Sequence, residues 1–353
     1  MKNLLLFFLF FLILGCSDDD SYKVIENPVA VDLENVPYQK LSEYNFFIGE
    51  LNKLTPHPDV LLYKPNSELF TDYAKKLRYV WLPKNTKAEF VSENESLNLP
   101  VGSVLLKVFY YDTVQTGSQN KILETRLMIR KSEGWIFANY KWNDSQTEAF
   151  YDMSTSTVPF TINHNNHNLS FDYTIPSDSQ CLSCHSKNAE PQPIGIKPIY
   201  LNYSLSGTNQ LQNWIRKGYL ESDLPQAISS VVDYSDSSKS LNDRARAYLD
   251  IQCAHCHNPE GSSYYVSLDF SFSQTINSEN MGVCMPSTMN IPGFDRGYIV
   301  APQDPINSAL LYMISTDQPQ YKMPRIGRSL THQEGVELIS QWINSLEPCP
   351  SFD

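Results

Sequence analysis

The stretch Ile251-Gln252-Cys253-Ala254-His255-Cys256-His257 contains a Cys-x-x-Cys-His run, and an earlier copy stands at Cys181-Leu182-Ser183-Cys184-His185. The spacing carries a chemistry. Two thiols about one helical turn apart add across the two vinyl groups of one haem, and the adjoining histidine reaches the iron as proximal ligand. The competing readings are a zinc clip, a redox dithiol or coincidence. A structural zinc closes four ligands around one metal, whereas each cysteine pair here carries its own histidine at the same offset. The repetition argues against coincidence. The pattern therefore predicts two haem c groups, attached at Cys181 and Cys184 and at Cys253 and Cys256, with His185 and His257 on the irons.

Around the second motif, Ser240 reads as the cap of a helix with Leu241, Ala245, Tyr248 and Leu249 on one face, leading into Cys253. Thr331-His332-Gln333-Glu334 is a capping-box sequence that opens a helix carrying Ile339, Trp342, Ile343 and Leu346. Met323-Pro324 lies between. Helix, attachment motif, Met-Pro loop and C-terminal helix, in that order, predict an all-α class I cytochrome c-like module over 240–353. Met323 is then the distal ligand opposite His257, and a thioether there raises the potential and suits electron transfer. His255 is expected to face solvent. His332 is a spare candidate whose place in a first helical turn predicts a surface role.

The first module, 176–226, lacks a helix of the usual kind before its motif. Thr208 could cap a helix with Leu211, Trp214 and Ile215, closed by Gly218. No Met or His lies between Ser186 and Ser240. Its distal ligand must come from elsewhere: His164, His167 or Met153 are the candidates, and an open iron is the alternative. Residues 227–239, rich in Ser and Asp, read as a linker.

Upstream, 41–175 reads as an antiparallel β domain. Leu77 to Leu82, Ser103 to Tyr111, Glu124 to Arg130 and Trp135 to Trp142 have strand composition. Pro83, Pro100-Val101-Gly102, Thr116-Gly117-Ser118 and Glu133-Gly134 supply the turns. Sequential strands with short turns predict a sandwich or barrel, its Trp and Tyr serving core and cross-strand pairs.

The chain opens with Lys2 and an apolar run from Leu4 to Leu14, too short to span a bilayer and shaped as a secretory signal over 1–15. Leu12-Ile13-Leu14-Gly15-Cys16 resembles a bacterial lipobox, which implies cleavage before Cys16 and acylation of its thiol. Ser17 after that cysteine looks like an outer-membrane address, periplasmic or surface-exposed. Asp18-Asp19-Asp20 resembles the surface-export tag of Bacteroidetes lipoproteins; a solvated acidic tether is the plainer reading. Residues 16–40 form a polar tether.

The formal charge of −12 becomes −13 once Lys2 leaves with the signal. That disfavours nucleic acid and suits a basic redox partner protein in the envelope. Of the seven cysteines, one takes lipid and four take haem. Cys284 and Cys349 remain, and in an oxidising envelope they are expected as a disulfide, with two separate buried thiols as the alternative.

Several further segments carry a family resemblance. They are Leu69-Phe70-Thr71-Asp72-Tyr73-Ala74 with Lys76, Pro100-Val101-Gly102, Gly134-Trp135, Trp142-Asn143 and Tyr173-Thr174-Ile175-Pro176. Pro193-Ile194-Gly195 and Arg244 to Asp250 follow, then Gly282-Val283-Cys284, Met323-Pro324 and Gly327-Arg328-Ser329. With both attachment motifs, the chain after its tether resembles a family of bacterial dihaem c-type cytochromes whose members are often encoded beside parallel β-helix repeat proteins. The resemblance implies two haems and an envelope location.

The expected fold class is thus an α+β multidomain chain, an antiparallel β domain followed by two haem-binding modules. Three functions compete. A lipid-anchored electron carrier relays single electrons through both haems. A dihaem peroxidase or oxidase uses an open first iron fed by the Met-ligated haem. A binding module captures a glycan or protein on its β domain and needs an exposed aromatic patch there. The motifs favour the carrier.

Overall fold

The computed structural model describes residues 27–289 and 297–350. The expected signal segment and the lipidation site Cys16 lie outside the described residues.

Alternating side chains and short polar turns build one antiparallel meander. Strands β1 (Leu61–Tyr63), β2 (Lys75–Trp81), β3 (Val104–Tyr111), β4 (Lys121–Lys131), β5 (Gly134–Trp142) and β6 (Ala149–Tyr151) lie side by side in chain order. One face packs Tyr79, Leu106, Leu127 and Ala138 under the preceding segment, where Leu41, Tyr44 and Phe46 are buried. Near one end of the opposite face, Val80, Leu105, Met128 and Trp135 meet Ile196, Leu201, Leu211 and Trp214. Each such fully buried side chain contributes about 1.5–3 kcal/mol of transfer free energy, so the chain after the β strands is half of the sheet's core.

A hairpin follows, β7 (Ser156–His164) and β8 (His167–Ile175). Asn165 and Asn166 turn it with φ of 50° and 64°, the left-handed pair a two-residue hairpin requires and asparagine tolerates. Ile162, Tyr173 and Ile175 seat it on Phe109, Tyr111 and Leu123 of the sheet.

Five helices then matter to the site: α1 (Asp178–Cys184), α2 (Gln210–Arg216), α3 (Leu241–Leu249), α4 (Ala309–Ser315) and α5 (Gln333–Asn344). The structure corrects the expected fold class: the chain is mostly antiparallel β, and no all-α class I cytochrome c-like module is evident over 240–353. The helices α3 and α5 do share a core of Ala245, Leu249, Leu338, Ile339 and Trp342. Between them, though, the described chain is largely irregular apart from the π turn at Asp250–Ala254, a short turn at Ser278–Met281 and the two-turn helix α4, with isolated bridges such as Val283 with Val300. The physical reason is compositional. That stretch is dense in Ser, Asn, Pro and Gly, which compete for backbone hydrogen bonds or refuse helical dihedrals. Cys284 and Cys349 are joined as a disulfide that ties this irregular stretch to the end of α5's tail.

Segments distant in sequence are knitted together. Asn66 donates its side-chain amide to the Val231 carbonyl, and Ser67 donates to Val232 O at 2.8 Å. The Asp72 carboxylate accepts from the N–H groups of Ser329 and Leu330, both at 2.7 Å.

Candidate haem-attachment site

The first motif rides on α1. Ser177 and Gln180 form a capping box at its start, satisfying backbone donors that would otherwise be orphaned. One helical turn separates Cys181 from Cys184, and the helix ends on His185. The His185 ring stands edge-on to Phe137 of β5 at 5.7 Å, with Nδ1 3.1 Å from the Gln192 carbonyl oxygen. Its Nε2 has no hydrogen bond among the described residues. Burial, with Lys107 nearby, pushes the imidazole down to about 3, so it stays neutral. A neutral ring that donates Nδ1–H to a carbonyl offers the Nε2 lone pair, the usual arrangement of a metal-ligating histidine.

The second motif begins as α3 widens into a π turn over Asp250–Ala254, a feature that concentrates at functional sites. Three contacts hold this turn. Asp250 is buried and accepts from the Tyr200 hydroxyl at 2.6 Å and from Phe272 N–H at 3.0 Å. The Gln252 carboxamide accepts from Phe70 N–H at 3.0 Å and donates to Glu68 O at 2.9 Å. His257 N–H closes on Cys253 O at 2.9 Å. The His257 ring lies edge-on to Phe270 at 5.6 Å, and its Nδ1 is buried without a partner.

The two motifs meet directly. Ligand atoms of Cys184, His255 and Cys256 all lie within 4.8 Å of one another. Ser262 donates to Ser183 O at 2.7 Å, and Lys187 pairs with Glu260 at 2.9 Å and with Glu95 at 2.8 Å. Cys184 donating to Cys256 holds the Cys184 thiol up and the Cys256 thiol down, with His255 and Ser262 also favouring the Cys256 thiolate. A cavity of about 910 Å³ opens beside this junction, lined in part by Trp135, Cys184, Tyr200, Asp250 and His255.

The residues present fit two haems better than a zinc. Among the described residues no fourth donor joins the Cys184–His255–Cys256 cluster, so a closed tetrahedral site is incomplete. His185 is oriented by a carbonyl and His257 carries an orphaned buried nitrogen, and each belongs to its own cysteine pair.

The remaining expected site residues are dispersed. Met323 sits half-buried in the loop between α4 and α5, its N–H on Met313 O at 2.8 Å and its carbonyl accepting from Arg328 Nε at 3.0 Å. The Met153 sulfur accepts the Asn139 N–H at 3.1 Å, on the same strand that carries Phe137. His164 stacks on Tyr73 at 3.8 Å and bonds to Glu334 at 2.9 Å, whereas His167 is exposed at the hairpin tip.

Two histidine expectations are corrected. His255 does not face solvent: its Nδ1 is buried without a partner and its side chain lines the cavity, because the first motif packs over it. His332 is not a surface residue: it is stacked on Phe70 at 4.3 Å and on Tyr248 at 5.6 Å.

Sequence reasoning missed a set of charged residues on the sheet beneath α1. Arg126 and Lys107 both act electrostatically on His185, and Arg126 acts on Cys181. The available signal was alternation: Arg78, Lys107 and Arg126 occupy the same face of their strands as the buried Val80, Leu105 and Met128.

No protein-family model, curated protein or solved structure matches the chain.

Proposed function

We propose that the chain is a dihaem c-type cytochrome, of the family it resembles, anchored by lipid in the bacterial envelope and relaying single electrons between redox partner proteins. The observation that carries this reading is the contact between the two attachment motifs through Cys184 and Cys256. Each of those thiols is the second of its pair, so two cofactors bound there would have neighbouring edges, and electron exchange between them would be short-range. A haem supplies one-electron chemistry; the protein's part is to ligate, orient and enclose it. His185 and His257 would supply the proximal nitrogens, and Cys181, Cys184, Cys253 and Cys256 the thioethers.

Expression in a host competent in cytochrome maturation tests the reading. Pyridine-haemochrome absorbance and intact mass should both return two haems per chain. Colourless protein of unmodified mass would overturn it.

One observation favours a second reading, a dihaem peroxidase or oxidase with an open first iron. Met153 accepts the Asn139 N–H, His164 Nε2 is held by Glu334 and His167 is exposed at the hairpin tip, and no contact among the described residues joins any of the three to His185. Cyanide separates the two: ferric irons that are both low-spin and unresponsive support the carrier, and a high-spin component that binds cyanide supports the enzyme.

A further inference from the structure

The sheet face under α1 holds a row of cations. Strand register places Arg78 opposite Lys107, and Lys107 opposite Arg126. Lys76 stands two residues from Arg78 on the same face. Like charges directly across a ladder repel, and here they are stacked three deep inside the molecule.

Neighbouring carboxylates are largely committed elsewhere. Glu124 holds Arg126 through two contacts, at 2.9 and 2.5 Å, and also accepts from the Tyr173 hydroxyl at 2.8 Å. Glu68 pairs with Lys64 at 2.8 Å, and Asp72 is occupied by the backbone N–H groups of Ser329 and Leu330. Lys141, on the same face, pairs with Asp152 at 2.8 Å. Arg78, only 6% exposed, has no hydrogen bond or ion pair among the described residues, and neither do Lys76 and Lys107. The Lys107 ammonium stands over the Phe109 ring, 5.0 Å from its centroid.

These groups are deeply enclosed, yet Lys76, Lys107 and Arg126 keep partial side-chain accessibility. The Arg126 guanidinium lies over the Phe109 ring, 4.3 Å from its centroid. Burial pushes Lys76 down to about 7 and Lys107 well down, with the neighbouring cations adding to the effect. Glu124 pairs only with Arg126, and an enclosed row of cations of which Arg78 and Lys107 lack a direct ion pair among the described residues is unfavourable unless an anion completes it.

We propose that Arg78, Lys107 and Arg126, with Lys76 beside them, form an anion seat for the propionate carboxylates of the haem attached at Cys181 and Cys184. The inference rests on the dihaem reading and adds what recognises the cofactor's acidic edge. The row adjoins the first motif: the His185 ring stands against Phe137 at 5.7 Å, and the register puts Phe137 opposite Met128, two residues from Arg126 on the same face. Guanidinium groups suit carboxylates because their donors match the two oxygens. Cations beside a haem also favour its reduced, more negative form, so the seat raises the first haem's potential.

The test compares Arg78→Gln and Lys107→Gln with wild-type holoprotein. Haems are counted in every sample, and resonance Raman and spectroelectrochemical titration are then recorded. Both variants should retain two haems, shift the propionate bending bands and lower the midpoint potential of one haem. Arg78→Lys should keep most of the potential while still shifting the bands. If Arg78→Gln does not fold, Lys107→Gln alone decides, because that residue is less buried than Arg78. Two haems with bands and potential unshifted would overturn the seat and leave the dihaem reading standing, whereas colourless wild-type protein would overturn both. Holoprotein that still binds added phosphate at this row by calorimetry, with the affinity lost in Lys107→Gln, would assign the row to a free anion and overturn the propionate seat.

Discussion

His185 Nδ1 lies 3.1 Å from the carbonyl oxygen of Gln192, which places a backbone acceptor behind the first motif's imidazole. The contact fixes which nitrogen carries the proton. Replacing the ring by His185→Ala leaves Cys181 and Cys184 intact, so the haem should remain attached while its iron loses the proximal nitrogen. One iron of the two should become high-spin by electron paramagnetic resonance, with the haem count unchanged. A wholly low-spin spectrum would remove His185 from the metal.

Met323 is tethered through its N–H to Met313 O and through its carbonyl to Arg328 Nε, an arrangement that holds its backbone in place. With its sulfur on the second iron, Met323→Ala should turn one haem high-spin and lower its potential, because a thioether opposite histidine stabilises the ferrous state. Redox titration with parallel spectra checks both. An unaltered spectrum excludes the residue as a ligand.

Gly335 lies in α5 against Tyr248 of α3, and an added Cβ would collide with that buried phenol. Gly335→Ala in an exposed helix would gain about 1 kcal/mol. Here the overlap should dominate and the variant should lose about 1–3 kcal/mol, read as a lower urea midpoint.

Burial pushes the His332 imidazole down to about 4, from an ordinary value of 6.5. As pH falls from about 6.5 toward about 4, the unfolded chain takes up a proton that the folded chain refuses. This group alone should therefore cost up to roughly 1.4 kcal/mol of stability per pH unit across that window. Stability is recovered above it. His332→Gln should flatten the difference in urea midpoint between about pH 7 and about pH 5; an unchanged slope would place the ring in water.

The strands were legible because Leu77–Leu82 and Val104–Tyr111 are rich in β-branched and aromatic residues and are bounded by turn-formers, and a strand alternates its side chains between two faces. What alternation does not reveal is which faces later chain will cover. Arg78, Lys107 and Arg126 carry no mark of burial in their strands; the first motif, arriving some fifty residues after Arg126, turns their side into an interior. The same non-local packing explains His255, which the first motif covers, and His332, which Phe70 and Tyr248 enclose. Both Cys-x-x-Cys-His motifs were visible as spacing, because each is a five-residue local pattern. The helical module expected over 240–353 failed for the opposite reason. Its first and last helices are local, periodic features, but the chain between them takes its course from the disulfide and from contacts with the sheet.

The bonds from Asn66 and Ser67 to Val231 and Val232, and from Asp72 to Ser329 and Leu330, make the sheet and its C-terminal chain a single mechanical body. A fragment cut near residue 230 would expose severed polar pairs and bared apolar side chains on both pieces. Neither half is a transferable cassette, so the two Cys-x-x-Cys-His motifs cannot be studied, or recombined with other sequences, one at a time.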